Sequence, residues 1–371
     1  MTYFKDPEAP SAGGIEIHDN AIVVPFGAGK VPRGISRRAG VFTADGTYCV
    51  TARCWRSHKT AATAEPEPPA EDEIKRTLPG TSLFCGMTYG HFGHALCEST
   101  ARLWALDHVD GPVDRLLFLP KRRYGQQQRA LARVPTILGT LGELPTAHAA
   151  VGTVRCERLI VPPQGFGLGN LIRGTPEMRA FMNARLRDRV QPEGPERLYI
   201  SRSALFRKRG RLLFEHEIEA RLAAEGYEIF HPQQHPIETQ LSRYAAARDI
   251  ISTDNSALHL AAFVATPECR VAILLRRPSG IYRDFQNHLN WFAGIDPTIV
   301  PTVKGVWVQD GLPDRNNEVM TLIDMAESGA TLATAGMIAD ASTWVNPTED
   351  EVAAEVAALE ERIERGLTRI E

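Results

Sequence analysis

Between residues 198 and 275 the chain alternates short apolar runs with amphipathic stretches, at a spacing that leaves few folds open. Residues 198–201, 227–230, 249–252 and 270–275 read as strands. Residues 215–225 (closed by Gly226), 236–247 and 256–264 read as helices. Strand–helix–strand units of this length imply crossover connections and therefore a parallel sheet with helices on its faces. Sheets of that kind bind ligands beyond the carboxyl ends of their strands. The residues that follow each strand are thus the first place to look for chemistry.

The whole chain has 371 residues, too many for one ordinary core, and about two domains are expected. The break Gln191-Pro192-Glu193-Gly194-Pro195 places the boundary, giving domains 1–190 and 195–330 and a helical extension 331–371. In the first half, residues 21–26, 40–50, 81–87, 116–119 and 159–161 read as strands, and 126–141 as a helix. Thr175-Pro176-Glu177 opens another helix with an N-cap and a first-turn proline, running to about residue 190. Residues 65–73 read as an acidic, proline-rich surface loop. Thr348-Glu349-Asp350-Glu351 forms a capping box for a terminal helix over 349–371. Its seam of Val352, Val356, Leu359, Ile363, Leu367 and Ile370 predicts packing back on the body, with a homodimer as the alternative.

A formal net charge of −3 gives no basic field for nucleic acid. No apolar run approaches the length of a membrane span, and residues 1–14 lack a signal peptide's apolar region. The expected location is the cytoplasm, at most peripheral to the inner membrane. The six cysteines (Cys49, Cys54, Cys85, Cys97, Cys156, Cys269) show neither metal spacing nor a disulfide framework and read as small buried residues.

Three constellations carry chemistry. After the 81–87 strand comes a helical pattern from Gly90 to Trp104. At about 100° per residue it puts His91, His94, Glu98 and Arg102 within about an 80° arc. Two imidazoles and a carboxylate on one face suit proton transfer, and the bland alternative is an internal network in which Glu98 bridges Arg102. Next, Ser201-Arg202 ends a strand and leads into the basic run Arg207, Lys208, Arg209 and Arg211. A guanidinium at such a place suits a diphosphate, because it grips two oxygens at once. Last, Asp254-Asn255-Ser256 joins a strand to a helix whose free N–H groups form an anion site. His259 reads as a packed helix residue.

Taken in order, these stretches resemble glycosyltransferase family 61, which includes bacterial capsular-polysaccharide enzymes and eukaryotic xylosyl- and N-acetylglucosaminyltransferases. His94, Glu98, Arg102 and Leu103 match the family's helix pattern, and Tyr199 to Arg202 with the following basic run match its Tyr-Ile-Ser-Arg segment. Glu215 matches an Asn-Glu helix start in which Phe214 replaces the Asn. Thr239-Gln240 stands for a Glu-Gln pair, and Asp254-Asn255-Ser256-Ala257-Leu258 for His-Gly-Ala-Ala-Leu. The resemblance spans roughly residues 85–295.

It implies a GT-B-like α/β architecture: two Rossmann-like domains facing across a cleft, with acceptor handling in the first and the donor nucleotide in the second. It also implies inversion at the anomeric carbon, with no cofactor and no metal. On this reading Glu98, His94 and His91 are the catalytic candidates. Arg202, Arg207, Lys208, Arg211, Asp254, Asn255, Ser256 and Gln240 would bind a nucleotide-sugar donor, UDP-linked by resemblance, while Arg102 and Glu215 orient their neighbours. A glycan or polysaccharide is the acceptor. The competing readings are a metal-dependent hydrolase with His91, His94 and Glu98 as ligands, and a non-catalytic nucleotide-sugar or glycan-binding protein. Loss of activity with a chelator would favour the hydrolase, and donor turnover would exclude the binding protein.

Overall fold

A computed structural model describes residues 14–26, 37–120, 133–205, 210–311 and 318–370. The chain divides into two compact units, Met1–Arg189 and Val190–Glu371. Both mix strands and helices, so the fold is α/β.

The first unit is built on a six-stranded sheet. Four parallel strands lie in the order Thr153–Val161, Ile74–Thr88, Arg115–Pro120 and Thr146–Ala149. Glu16–Val24 and then Gly40–Phe42 extend the Thr153–Val161 side with antiparallel pairing. The sheet is therefore mixed, and its parallel part alone has the character expected from the sequence. Strand burial follows position. Leu83 to Met87 are all buried, as in a strand covered on both faces, whereas Glu16–Val24 alternates near its end, with Ala21 and Val23 inward. Thr175 caps the helix Pro176–Met182 through its hydroxyl, with Pro176 in the first turn; a π-helical turn, Asn183–Arg187, continues it. Of the 126–141 helix, Arg133–Thr140 is helical, and residues 126–132 lie outside the described residues.

The second unit holds a five-stranded, wholly parallel sheet in the order Glu228–Phe230, Arg197–Ile200, Asp249–Thr253, Arg270–Leu274 and Thr298–Val300. In chain order this is 2-1-3-4-5, the doubly wound arrangement. Strand order reverses between the first and third strands, Arg197–Ile200 and Asp249–Thr253. The crevice beyond their carboxyl ends is where such a sheet takes its ligand.

A smaller sheet joins Arg211–Leu212, Met320–Ile323, Val303–Gln309 and Leu367–Arg369. The terminal helix, Glu349–Ile363, carries the expected capping box at Thr348 and packs Leu359 and Ile363 into the core shared with Trp307, Met320 and Ile218. It stops earlier than the apolar seam suggested. Glu364 turns left-handed at φ 56°, and Leu367 then enters a strand instead of a fifth helical turn. No helix among the described residues is long and apolar enough to cross a membrane.

Candidate active site

In the first unit the strand Ile74–Thr88 delivers the chain to His91. The continuous helix expected from Gly90 to Trp104 does not form. Phe92–His94 is α-helical, Ala95–Ser99 is a π-helical turn, and after Thr100–Arg102 the chain resumes as a 3₁₀ helix, Leu103–Asp107. A π turn advances fewer degrees per residue than an α turn and so rotates everything after it out of phase. His94 and Glu98 stay together, and Arg102 leaves the stripe.

His94 Nδ1 lies 2.5 Å from Glu98 Oε2. Glu98 is buried, its side chain 3% exposed, whereas that of His94 is 27% exposed. The His94 ring stacks on Tyr89 at 5.4 Å and meets His91 edge-on at 5.3 Å. Burial and then the Glu98 charge raise the Tyr89 phenol well above its ordinary range. A carboxylate only accepts hydrogen bonds, so this contact holds the proton on Nδ1 and makes Nε2 the basic nitrogen. His91 is exposed, at the extended residue before the helix. Among the described residues, His91, His94 and Glu98 do not converge as a three-ligand metal group.

Arg102 does not bridge Glu98. Its guanidinium, 1% exposed, donates to the carbonyls of Pro162 (2.9 Å), Thr51 (3.0 Å) and Arg53 (2.9 Å) and lies over the Phe84 ring. It clamps the loop of Thr51 and Arg53 to that of Pro162. Gly86 makes room for it: at φ +76°, a Cβ there would sit 2.7 Å from Arg102 Nη1. Gly86→Ala is expected to lower stability by roughly 1–3 kcal/mol, read as a fall in Tm. An unchanged Tm would show that the clamp can shift at no cost.

In the second unit, residues from three adjacent strand ends converge. Arg202 follows the first strand; its backbone N–H donates to Glu215 Oε1 (2.8 Å) and its Nη2 to the Gly210 carbonyl (3.1 Å). Glu215 also accepts from the Tyr199 hydroxyl at 3.2 Å, and burial raises its carboxyl pKa. Phe214, just before it, holds a left-handed φ of 57°, a conformation that suits the Asn it replaces better than an aromatic residue. Asp254, at the end of the third strand, accepts from the Arg276 N–H (2.8 Å) and from Arg277 Nε (2.6 Å).

Arg276 and Arg277 leave the fourth strand and were not singled out from the sequence, although two adjacent arginines at a strand's carboxyl end were a readable signal. Both are buried. Burial pushes the Arg276 guanidinium down to about 9, with Asp254 pulling the other way and Arg202 adding repulsion. Arg211 is buried too, hydrogen-bonded to the Ser203 and Leu205 carbonyls, and burial lowers its pKa. Arg207, Lys208 and Arg209 lie outside the described residues.

Several expected donor contacts are engaged within the fold. Asn255 Oδ1 accepts from the Ala257 N–H (2.9 Å), while its amide donates to Ser252 and Thr253, so Asn255 builds the strand-to-helix turn. Gln240 donates to the Pro232 and His235 carbonyls and pins that loop. Ser256 makes no side-chain cap contact and is half-buried at the helix start. His259 is buried, with Nδ1 3.1 Å from His288 Nδ1, as a packed helix residue should be.

The chain is a glycosyltransferase. Residues 92–272, just under half of its length, match the family model described as Glycosyltransferase 61, which supports that family for this protein. The match begins at the helix of His94 and Glu98 and ends within the strand that precedes Arg276. No curated protein matches the chain.

Proposed function

We propose that the protein is an inverting glycosyltransferase that moves a sugar from a nucleoside-diphosphate donor to a glycan or polysaccharide acceptor, with no metal in the transfer step. One observation carries this reading: Arg202, Arg211, Arg276 and Arg277 gather near the carboxyl ends of a doubly wound sheet, with Asp254 and Glu215 among the acids beside them. A bound diphosphate presents oxygens that guanidiniums grip two at a time, and the guanidiniums would meet the charge growing on the leaving group.

In the first unit, His94 Nε2 takes the proton of the acceptor hydroxyl while Glu98 holds the imidazole in the right tautomer. The acceptor oxygen attacks the anomeric carbon. The bond from that carbon to the diphosphate oxygen breaks, and the diphosphate leaves with the electron pair. Asp254, Asn255, Gln240 and Glu215 position the donor residues, and Arg102 positions the catalytic turn. A GT-B arrangement, with donor binding in the second unit and acceptor activation in the first, is the architecture this mechanism calls for. The resemblance adds a UDP-linked donor and a capsular-polysaccharide type of acceptor.

Arg202→Ala tests the donor site. A hydrogen bond to a charged group is worth about 1.5–3 kcal/mol, so affinity for the nucleoside diphosphate should fall roughly ten- to hundred-fold. Affinity for the bare nucleoside should stay as it was. Calorimetric titration of both ligands reads this, and equal diphosphate affinity in variant and parent would overturn the assignment.

A further inference from the structure

Away from the transfer site, the first unit gathers a second group of reactive side chains. Glu16 and His18 stand two residues apart on the strand Glu16–Val24, which puts both on one face of the sheet. Cys49 comes from the turn before the short helix Val50–Ala52, held there by its N–H bond to the Val41 carbonyl. The three side chains meet at one carboxylate oxygen: Glu16 Oε2 is 2.8 Å from His18 Nε2 and 3.4 Å from Cys49 Sγ. The other carboxylate oxygen accepts a short hydrogen bond from the Thr51 hydroxyl.

We propose that Glu16, His18 and Cys49 form a binding site for a transition-metal ion of the zinc class, with a fourth coordination position open to water. The chemistry of the donors selects that class. A thiolate and an imidazole favour zinc or cobalt over magnesium or calcium, which take oxygen ligands. The spacing fits as well. Metal–ligand lengths of about 2.0–2.3 Å in a tetrahedron require ligand atoms roughly 3.3–3.7 Å apart. The three ligand atoms already lie within 4.8 Å of one another, and the sulfur–oxygen separation needs almost no change. From Glu16 Oε2 the imidazole has to swing back by about half an ångström.

Exposure is graded in the way a half-open site needs. Cys49 is buried at 4%, whereas the His18 and Glu16 side chains are 21% and 39% exposed and leave a side for entry and for water. On binding, the Cys49 thiol gives its proton to solvent and the imidazole binds in its neutral form.

The site also has a place in the architecture. The turn that carries Cys49 runs on to Thr51 and Arg53, whose carbonyls receive the buried Arg102 guanidinium. A bound ion would tie the amino-terminal strand to that turn and so steady the loop that receives Arg102. Its role is structural and separate from sugar transfer.

The test uses the full chain with cobalt(II) as the spectroscopic probe. The parent should bind one equivalent and show the near-ultraviolet thiolate-to-metal band together with visible bands of tetrahedral intensity. Cys49→Ser should lose the near-ultraviolet band, and Cys269→Ser should keep it. His18→Gln alters a partly exposed residue and should weaken binding about 100-fold, with circular dichroism confirming the fold of each variant. Zinc should raise the Tm of the parent and leave that of Cys49→Ser unchanged. A parent spectrum without a saturable thiolate band, or an unchanged spectrum in Cys49→Ser, would overturn the proposal.

Discussion

Replacing His94 by alanine is expected to lower sugar transfer by about 10²–10⁴-fold, the contribution of a positioned general base. The fold and the affinity for the donor should survive, because the His94 side chain is partly exposed and, among the described residues, hydrogen-bonds to Glu98. Glu98→Gln should also impair transfer, for a different reason. A glutamine offers Nδ1 either an acceptor or a donor, so the imidazole loses its fixed tautomer, and the residual rate depends on how the amide settles. The two variants together separate base from orienter. If His94 is the base, added imidazole should restore part of the transfer rate in His94→Ala and none in Glu98→Gln. Full transfer activity in either variant would contradict the dyad.

Asp254→Ala should strongly destabilise the second unit. Asp254 is 1% exposed and holds the N–H of Arg276 and the guanidinium of Arg277, both of them buried residues. Removing one partner of a buried pair leaves an uncompensated charge and costs about 3–5 kcal/mol. Urea unfolding should show this as a large fall in the midpoint at an unchanged slope. A nucleoside diphosphate should restore part of the loss, since it brings negative charge to the same arginines, and the matching nucleoside should not. A midpoint near that of the parent would mean that the Asp254 contacts are dispensable, and the account of this arginine group would have to change.

The parts of the molecule legible in the sequence are those set by short-range periodicity. The alternation after residue 195 identified every strand of the parallel sheet from Arg197 to Leu274, because apolar runs flanked by capping and turn residues have few other readings. Thr175 and Thr348 were readable as caps for the same local reason. The misreadings come where local pattern and tertiary packing diverge. His91 to Arg102 has helical spacing, but a π turn and the burial of Arg102 under Thr51 and Arg53 rotate the end of the stripe away. Leu367 continues the apolar period of the terminal helix, yet Gln309 and its strand offer it a ladder partner, and the chain leaves the helix to take it. The pairing of Asp254 with Arg276 and Arg277 joins residues more than 20 apart, which no periodicity reveals. The convergence of Glu16, His18 and Cys49 is hidden likewise, since two come from one strand and the third from a turn beyond the next.

The central claim is that arginines at the carboxyl ends of the parallel sheet, in place of a metal ion, stabilise the departing diphosphate. The most direct test is the initial rate of sugar transfer from a panel of nucleotide sugars, measured with and without added magnesium or manganese. The account predicts turnover of a nucleoside-diphosphate sugar at the same rate in both conditions, falling steeply in Arg202→Ala. Turnover that appears only with an added divalent cation, or that is untouched by Arg202→Ala, would contradict it.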